Sequence, residues 1–188
     1  MKGRDRRSAE LVRGYNLGMA ATATFVPVEE YLHGDYEVDC DYVDGVVEER
    51  NVGEWDHAAW QKALMLFFLA RESAWGVRVM VELRVQTGEK SYRVPDVCLL
   101  GRDVPATSIV LTPPLAVFEV LSPEDRMTRM LGRLADFDRM GVGAIWVIDP
   151  GTRDYYRYAS GQLAPASLFV LPGTNFEVAM AEIAALID

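Results

Sequence analysis

The chain has 188 residues, half hydrophobic and a quarter charged, which suits one domain of ordinary size with a packed core. Its formal charge of -9 counts against a protein that coats nucleic acid non-specifically, because such binding rests on Lys and Arg neutralising phosphates; a small basic cleft stays open. Two cysteines, Cys40 and Cys98, without a CxxC pair or a Cys/His cluster, argue against a zinc centre, and no apolar run reaches the ~20 residues that span a bilayer.

Residues 1–20 are basic and then mildly apolar, without the pure apolar core of a signal peptide. They read as a disordered N-terminal tail, ahead of a single domain over 21–188 in a cytoplasmic protein. VPVEEYL (26–32) predicts a short helix. VDCDYVDGVVEER places two alternating runs around Asp44-Gly45, a strong hairpin signal. The longest helix is predicted over 54–75, started by Asn51 or Glu54 and stopped by Gly76. VRVMVELRVQ (77–86) and YRVPDVCLLG (92–101) then predict a second hairpin, joined by TGEKS.

LAVFEVLS reads as a buried strand, and 124–140 as an amphipathic helix with Met127, Met130, Leu131, Leu134 and Phe137 at helical spacing. Gly141 ends it. GAIWVID is a further buried strand, closed by a turn at Asp149-Pro150-Gly151. RDYYRYAS predicts an edge strand and EVAMAEIAALID a closing helix. A helix between two buried strands implies a right-handed parallel crossover. The class is α/β: a mixed central sheet flanked by helices.

Two acids interrupt apolar strands. Asp96 follows Pro95 in RVPDVCLL, and Glu119 sits inside VFEVLS. A buried carboxylate without a partner is costly, so each needs a cation, a metal or water. Two carboxylates on neighbouring strands suit Mg²⁺, which takes hard oxygen ligands and keeps several waters. Glu82 alternates with Arg84 and Gln86, which places the three on one face of the predicted hairpin, within reach of Asp96 if register permits.

PD followed by a strand bearing Glu and then a helix resembles the PD-(D/E)XK nuclease core. The ordered set DYVDGVVEE, His57 in the long helix, VELRV, RVPDVCLL, VFEVLSPEDR, the RMGV helix end and AIWVIDP is, more closely, similar to the Uma2 endonuclease family, from about Val26 to the C-terminus. The resemblance implies a restriction-endonuclease-like fold. It implies that Asp96, Glu119 and the backbone carbonyl of Val120 hold a divalent metal, Mg²⁺ with Mn²⁺ able to substitute. It also implies a DNA substrate, and family analogy allows a homodimer. His57 and Glu82 would face the same cleft. A full (D/E)XK motif has lysine where this chain has Leu121; the resemblance places Arg133 in a compensating role. Arginine stays protonated and cannot act as a base, but it can clamp a phosphate.

Plainer roles compete with these. Asp96 and Glu119 could be paired with Arg93 or Arg133, His57 could be a core or capping residue, and Glu82 a surface partner of Arg84 or Arg93. Asp41 belongs to a hairpin, Lys90 lies at a hairpin tip ~20 Å from Asp96, and Trp55 and Trp60 suit core anchoring better than base stacking. The leading functional expectation is Mg²⁺-dependent endonucleolytic hydrolysis of DNA by metal-activated water. The alternative is a weak or inactive nuclease relative that binds nucleic acid or protein, which an Arg133–Glu119 ion pair in an empty cleft would favour.

Overall fold

Two β-sheets share a cluster of buried charges in the computed structural model, which describes residues 25–36, 40–50, 54–123 and 125–187. The expected tail over 1–20, the helix start at Asn51 and Glu124 lie outside the described residues. Helix α1 (Val28–His33) precedes strands β1 (Cys40–Val43) and β2 (Val46–Glu49). Their turn is Asp44-Gly45, with φ of 47° and 92°, the paired positive values of a tight type I′ hairpin.

The predicted 54–75 helix divides into α2 (Trp55–Leu69) and α3 (Glu72–Trp75). The cause is local. The Phe67 carbonyl accepts the Arg71 side chain at 3.0 Å, while the Arg71 amide donates to Phe68 instead. The guanidinium folds back over the Phe67 ring, 3.6 Å from its centre. Gly76 then closes α3 at φ 66°.

The second predicted hairpin is also divided. Its arms become β3 (Val77–Val81) and β4 (Val85–Gly88) on one side, β5 (Ser91–Arg93) and β6 (Val97–Gly101) on the other. Glu82, at φ 50°, breaks the first arm. Val94-Pro95-Asp96 breaks the second, since proline has no N–H for the ladder. The tip pair joins a four-stranded sheet of order β2-β1-β5-β4. The base pair joins a six-stranded sheet with β7 (Ala116–Val120), β8 (Ala144–Asp149), β9 (Asp154–Ala159) and β10 (Gln162–Pro165), in the order β10-β9-β8-β7-β6-β3.

As predicted, β7 and β8 run parallel and are linked by α4 (Met127–Met140). Gly141 ends α4 in the left-handed region, at φ 93°. Strand β9 is no edge: β10 covers it. The C-terminal segment is a strand before it is a helix, with β11 (Leu168–Val170) paired to β12 (Glu177–Ala179) ahead of α5 (Met180–Ala184).

Alternation sorts the six-stranded sheet into two faces. Val97, Leu99, Phe118, Val120 and Trp146 pack with Leu64 and Phe68 of α2 and Ile183 of α5. Cys98, Leu100, Val117 and Ile145 pack with Met130, Leu134 and Phe137 of α4. Glu119 shares parity with Val117, so its side chain faces α4. The smaller sheet is held to α1 by Tyr31, Tyr42 and Tyr92, with the first two rings stacked at 4.8 Å. Among the described residues, no helix is long and apolar enough to cross a membrane.

Candidate active site

The break between β5 and β6 sets Asp96 at the end of β7, and the side chain is buried. Its Oδ2 accepts the Val120 amide at 2.7 Å and faces His57 Nε2 at 3.2 Å. Its Oδ1 is paired with Arg50, which follows β2. Burial pushes the Asp96 carboxyl up, but the His57 hydrogen bond and the Arg50 charge outweigh it, so the group is held below its ordinary value. The reciprocal effect acts on His57. Burial lowers its pKa, the hydrogen bond and charge of Asp96 raise it, and the net direction is up.

Glu119 is 0% exposed. Its Oε2 accepts Arg133 Nη1 at 2.7 Å, while its Oε1 is buried without a hydrogen-bond partner among the described residues. Burial is the largest influence on this carboxyl. The Arg133 charge pulls the other way, the Asp96 charge adds to burial, and the group is pushed up to about 7. It is a carboxylate short of positive charge.

Arg133 belongs to a longer chain of ions. Its Nε donates to Asp41 Oδ2 at 3.1 Å, and Asp41 also accepts Arg93 Nη1 at 2.9 Å and the Val94 amide at 2.9 Å. Arg93 continues to Glu48 at 2.9 Å and to Asp136 of α4 at 2.7 Å. Alternating signs thus run from the small sheet through α4 to β7. Such networks are tolerable in a low-dielectric interior only when nearly every member is satisfied; among the described residues of the site, Glu119 Oε1 and His57 Nδ1 are buried without a hydrogen-bond partner.

The predicted residues divide. Asp96, Glu119, His57, Val120 and Arg133 come together. The Glu82 backbone amide reaches the Asp96 carbonyl at 3.4 Å, but its exposed side chain meets Gln61 at 3.2 Å. The expected one-faced run of Glu82, Arg84 and Gln86 fails because the strand breaks at Glu82. Leu121 packs into the apolar cluster beneath α4. Lys90 is exposed at the β4–β5 tip. Trp60 anchors the core, whereas Trp55 is 82% exposed, against the expectation of core anchoring.

Five members of the network were not singled out as site residues: Arg50, Asp41, Arg93, Glu48 and Asp136. An arginine closing a hairpin arm is ordinarily solvated, so Arg50 carries no distinguishing signal. Asp41 alternates with Cys40 and Tyr42, which both face the tyrosine cluster; that parity was a usable clue that Asp41 faces the opposite side.

Asp96, Val120 and Arg133 line a small cleft with Arg50, His57 and Ser122. Among the described residues no group of three or more His, Cys, Asp or Glu side chains could by itself hold a metal ion. Two carboxylates with a backbone carbonyl and waters are a sufficient oxygen set for Mg²⁺, and the unpartnered Glu119 oxygen fits a hard cation.

The comparisons with known proteins agree with this architecture. The Uma2 family model, described as "Putative restriction endonuclease", matches residues 28–179. The crystal structure of "a putative nuclease belonging to DUF820" from Anabaena variabilis ATCC 29413 superposes with a TM-score of 0.73 at 18% identity, covering 85% of this chain and 98% of that one. A DrdV–DNA complex gives a TM-score of 0.38 at 15% identity over 68% of this chain and 11% of that one, too low to bear on the fold. Among curated proteins, none matches. The mixed sheet flanked by helices is the restriction-endonuclease-like fold expected from the sequence, and with the family model matching residues 28–179, the chain belongs to the Uma2 family.

Proposed function

We propose that the chain is a divalent-metal-dependent endonuclease that hydrolyses DNA phosphodiester bonds. The observation that carries this reading is the buried, unpartnered Oε1 of Glu119 beside the Asp96 carboxylate. Asp96, Glu119 and the Val120 carbonyl would hold the ion, Mg²⁺ or Mn²⁺. When bound, the ion would supply charge to the scissile phosphate and lower the pKa of water in the site.

The protein's own groups have separable tasks. Water oxygen bonds to phosphorus as the bond to the leaving oxygen breaks. Arg133 and Arg50 are fixed donors beside that position, and the guanidinium fork suits a phosphate. Neither can take a proton from water. His57, hydrogen-bonded to Asp96, would carry the proton once Glu119 is engaged by the ion. Glu82 has the weakest claim to a role, through its position over the Asp96 backbone. A homodimer would supply one site per strand.

A specific observation favours the second reading, an inactive relative. Both carboxylates already face arginines, Asp96 with Arg50 and Glu119 with Arg133. Plasmid nicking separates the two. Cutting in Mg²⁺ that stops with chelator, and is lost in Asp96→Ala and Glu119→Ala, supports the enzyme. Cutting retained in both variants removes the site assignment, and binding without cutting in any divalent ion supports the relative.

A further inference from the structure

A second cleft, with a cavity of about 710 Å³, adjoins the site. Glu48 and Arg93 line one side, and Asp125, Arg126, Arg129 and Gly132 the other. Asp125 borders both clefts, so they are neighbours. Arg126 stands at the N-cap of α4, and Arg129 and Arg133 follow at i+3 and i+7, a stripe down the start of the helix. The stripe leads from the open cleft to the buried carboxylates. Arg126 is exposed and its side chain has no partner among the described residues, while Arg129 reaches only the Glu49 carbonyl, at 3.2 Å. Glu48, the acid opposite, is engaged by Arg93.

Gly132 is an independent observation. Glycine inside a helix lowers its stability relative to alanine, and packing offers no reason for it here: an added Cβ would meet nothing within 4 Å. The missing side chain leaves the helix backbone bare where it walls the cleft. Glycine is used where a ligand approaches a backbone closely.

We propose that this cleft is the track of the nucleic-acid phosphate backbone, with Arg126 and Arg129 as phosphate contacts, Thr128 as a hydroxyl donor and Gly132 as the point of closest approach. The assignment rests on the nuclease reading and adds to it the surface that positions the substrate. It also reconciles polyanion binding with a chain of net charge -9, because the contact is confined to one stripe.

The test is fluorescence anisotropy of labelled single-stranded and duplex DNA across a salt series, in chelator so that nothing is cut. Wild type binds with salt-dependent affinity. Arg126→Gln/Arg129→Gln lowers the slope of log affinity against log salt by about two. Gly132→Ala melts at a higher temperature yet binds several-fold more weakly, and in cleavage raises KM while leaving kcat unchanged. No binding by wild type, unchanged binding in both variants, or a lower melting temperature in Gly132→Ala overturns the track. The binding and melting readouts use no metal, so they fail separately from the nicking assay.

Discussion

At Glu119, burial and charge pull against each other. With the carboxyl pushed up to about 7, the folded protein holds this proton more tightly than the unfolded chain. The group's contribution to stability is complete below its ordinary value and is lost as pH rises through about 7. A divalent cation bound there must displace that proton. Apparent metal affinity is therefore expected to rise by up to about tenfold per pH unit below 7 and to level off above it. Calorimetry in buffers of different ionisation heat checks both affinity and proton release, and flat affinity from pH 6 to 8 contradicts it. Arg133 tests the other side of the pair. Arg133→Met strands Glu119 and deprives Asp41 of one of its two cations, and should cost about 3–5 kcal/mol in denaturant unfolding. Asp96 and Glu119 were legible in the sequence because they interrupt apolar runs. Arg50 was not, because an arginine after a short strand is ordinary until the fold shows what it faces, and Arg93, weighed as a partner of these two acids, turns instead to Asp41, Glu48 and Asp136.

The division of the β3–β6 hairpin is what brings Asp96 to β7. Glu82 bears the strain of that division in a left-handed conformation that costs an L-residue roughly 1–2 kcal/mol. Its side chain accepts a hydrogen bond from Gln61 on an exposed surface. Glu82→Gly should therefore raise stability by about 1 kcal/mol and leave nicking unchanged; a loss of cutting would give Glu82 the site role its sequence position suggested. The crossover β7–α4–β8 was readable from period and punctuation, down to Gly141. The two sheets were not. The first arm carries its alternation straight through Glu82 and the second runs on into the apolar Val97–Leu100, so the backbone of Glu82 and the missing N–H of Pro95 mark where each arm changes sheet. The break between α2 and α3 was hidden for a related reason: it depends on Arg71 taking the Phe67 carbonyl, a contact invisible in a helical pattern.

Across the molecule, the ion chain from Glu48 to Glu119 joins the small sheet, α4 and the large sheet. Its acid limb should be visible in global stability. Asp96 is held below its ordinary value, so its contribution is present above the ordinary carboxylate range and is lost as pH falls through the depressed value. His57 runs the opposite way. Its pKa is raised, so its contribution is present below about 6.5 and lost as pH climbs through the folded value. His57→Gln should shallow the alkaline limb of melting temperature against pH and weaken the acid limb as well, because the His57 hydrogen bond helps hold Asp96 down; two unchanged limbs would contradict the Asp96–His57 pair. At this scale the sequence conveyed the fold and the carboxylate pair, but not the network that neutralises them, since that network is assembled from five separated segments. The most direct measurement is Mn²⁺ anomalous diffraction from crystals of the protein. A peak between Asp96 and Glu119 that disappears in Glu119→Gln is the expected result. A cleft without density, with Arg133 still on Glu119 and Arg50 still on Asp96, would contradict it.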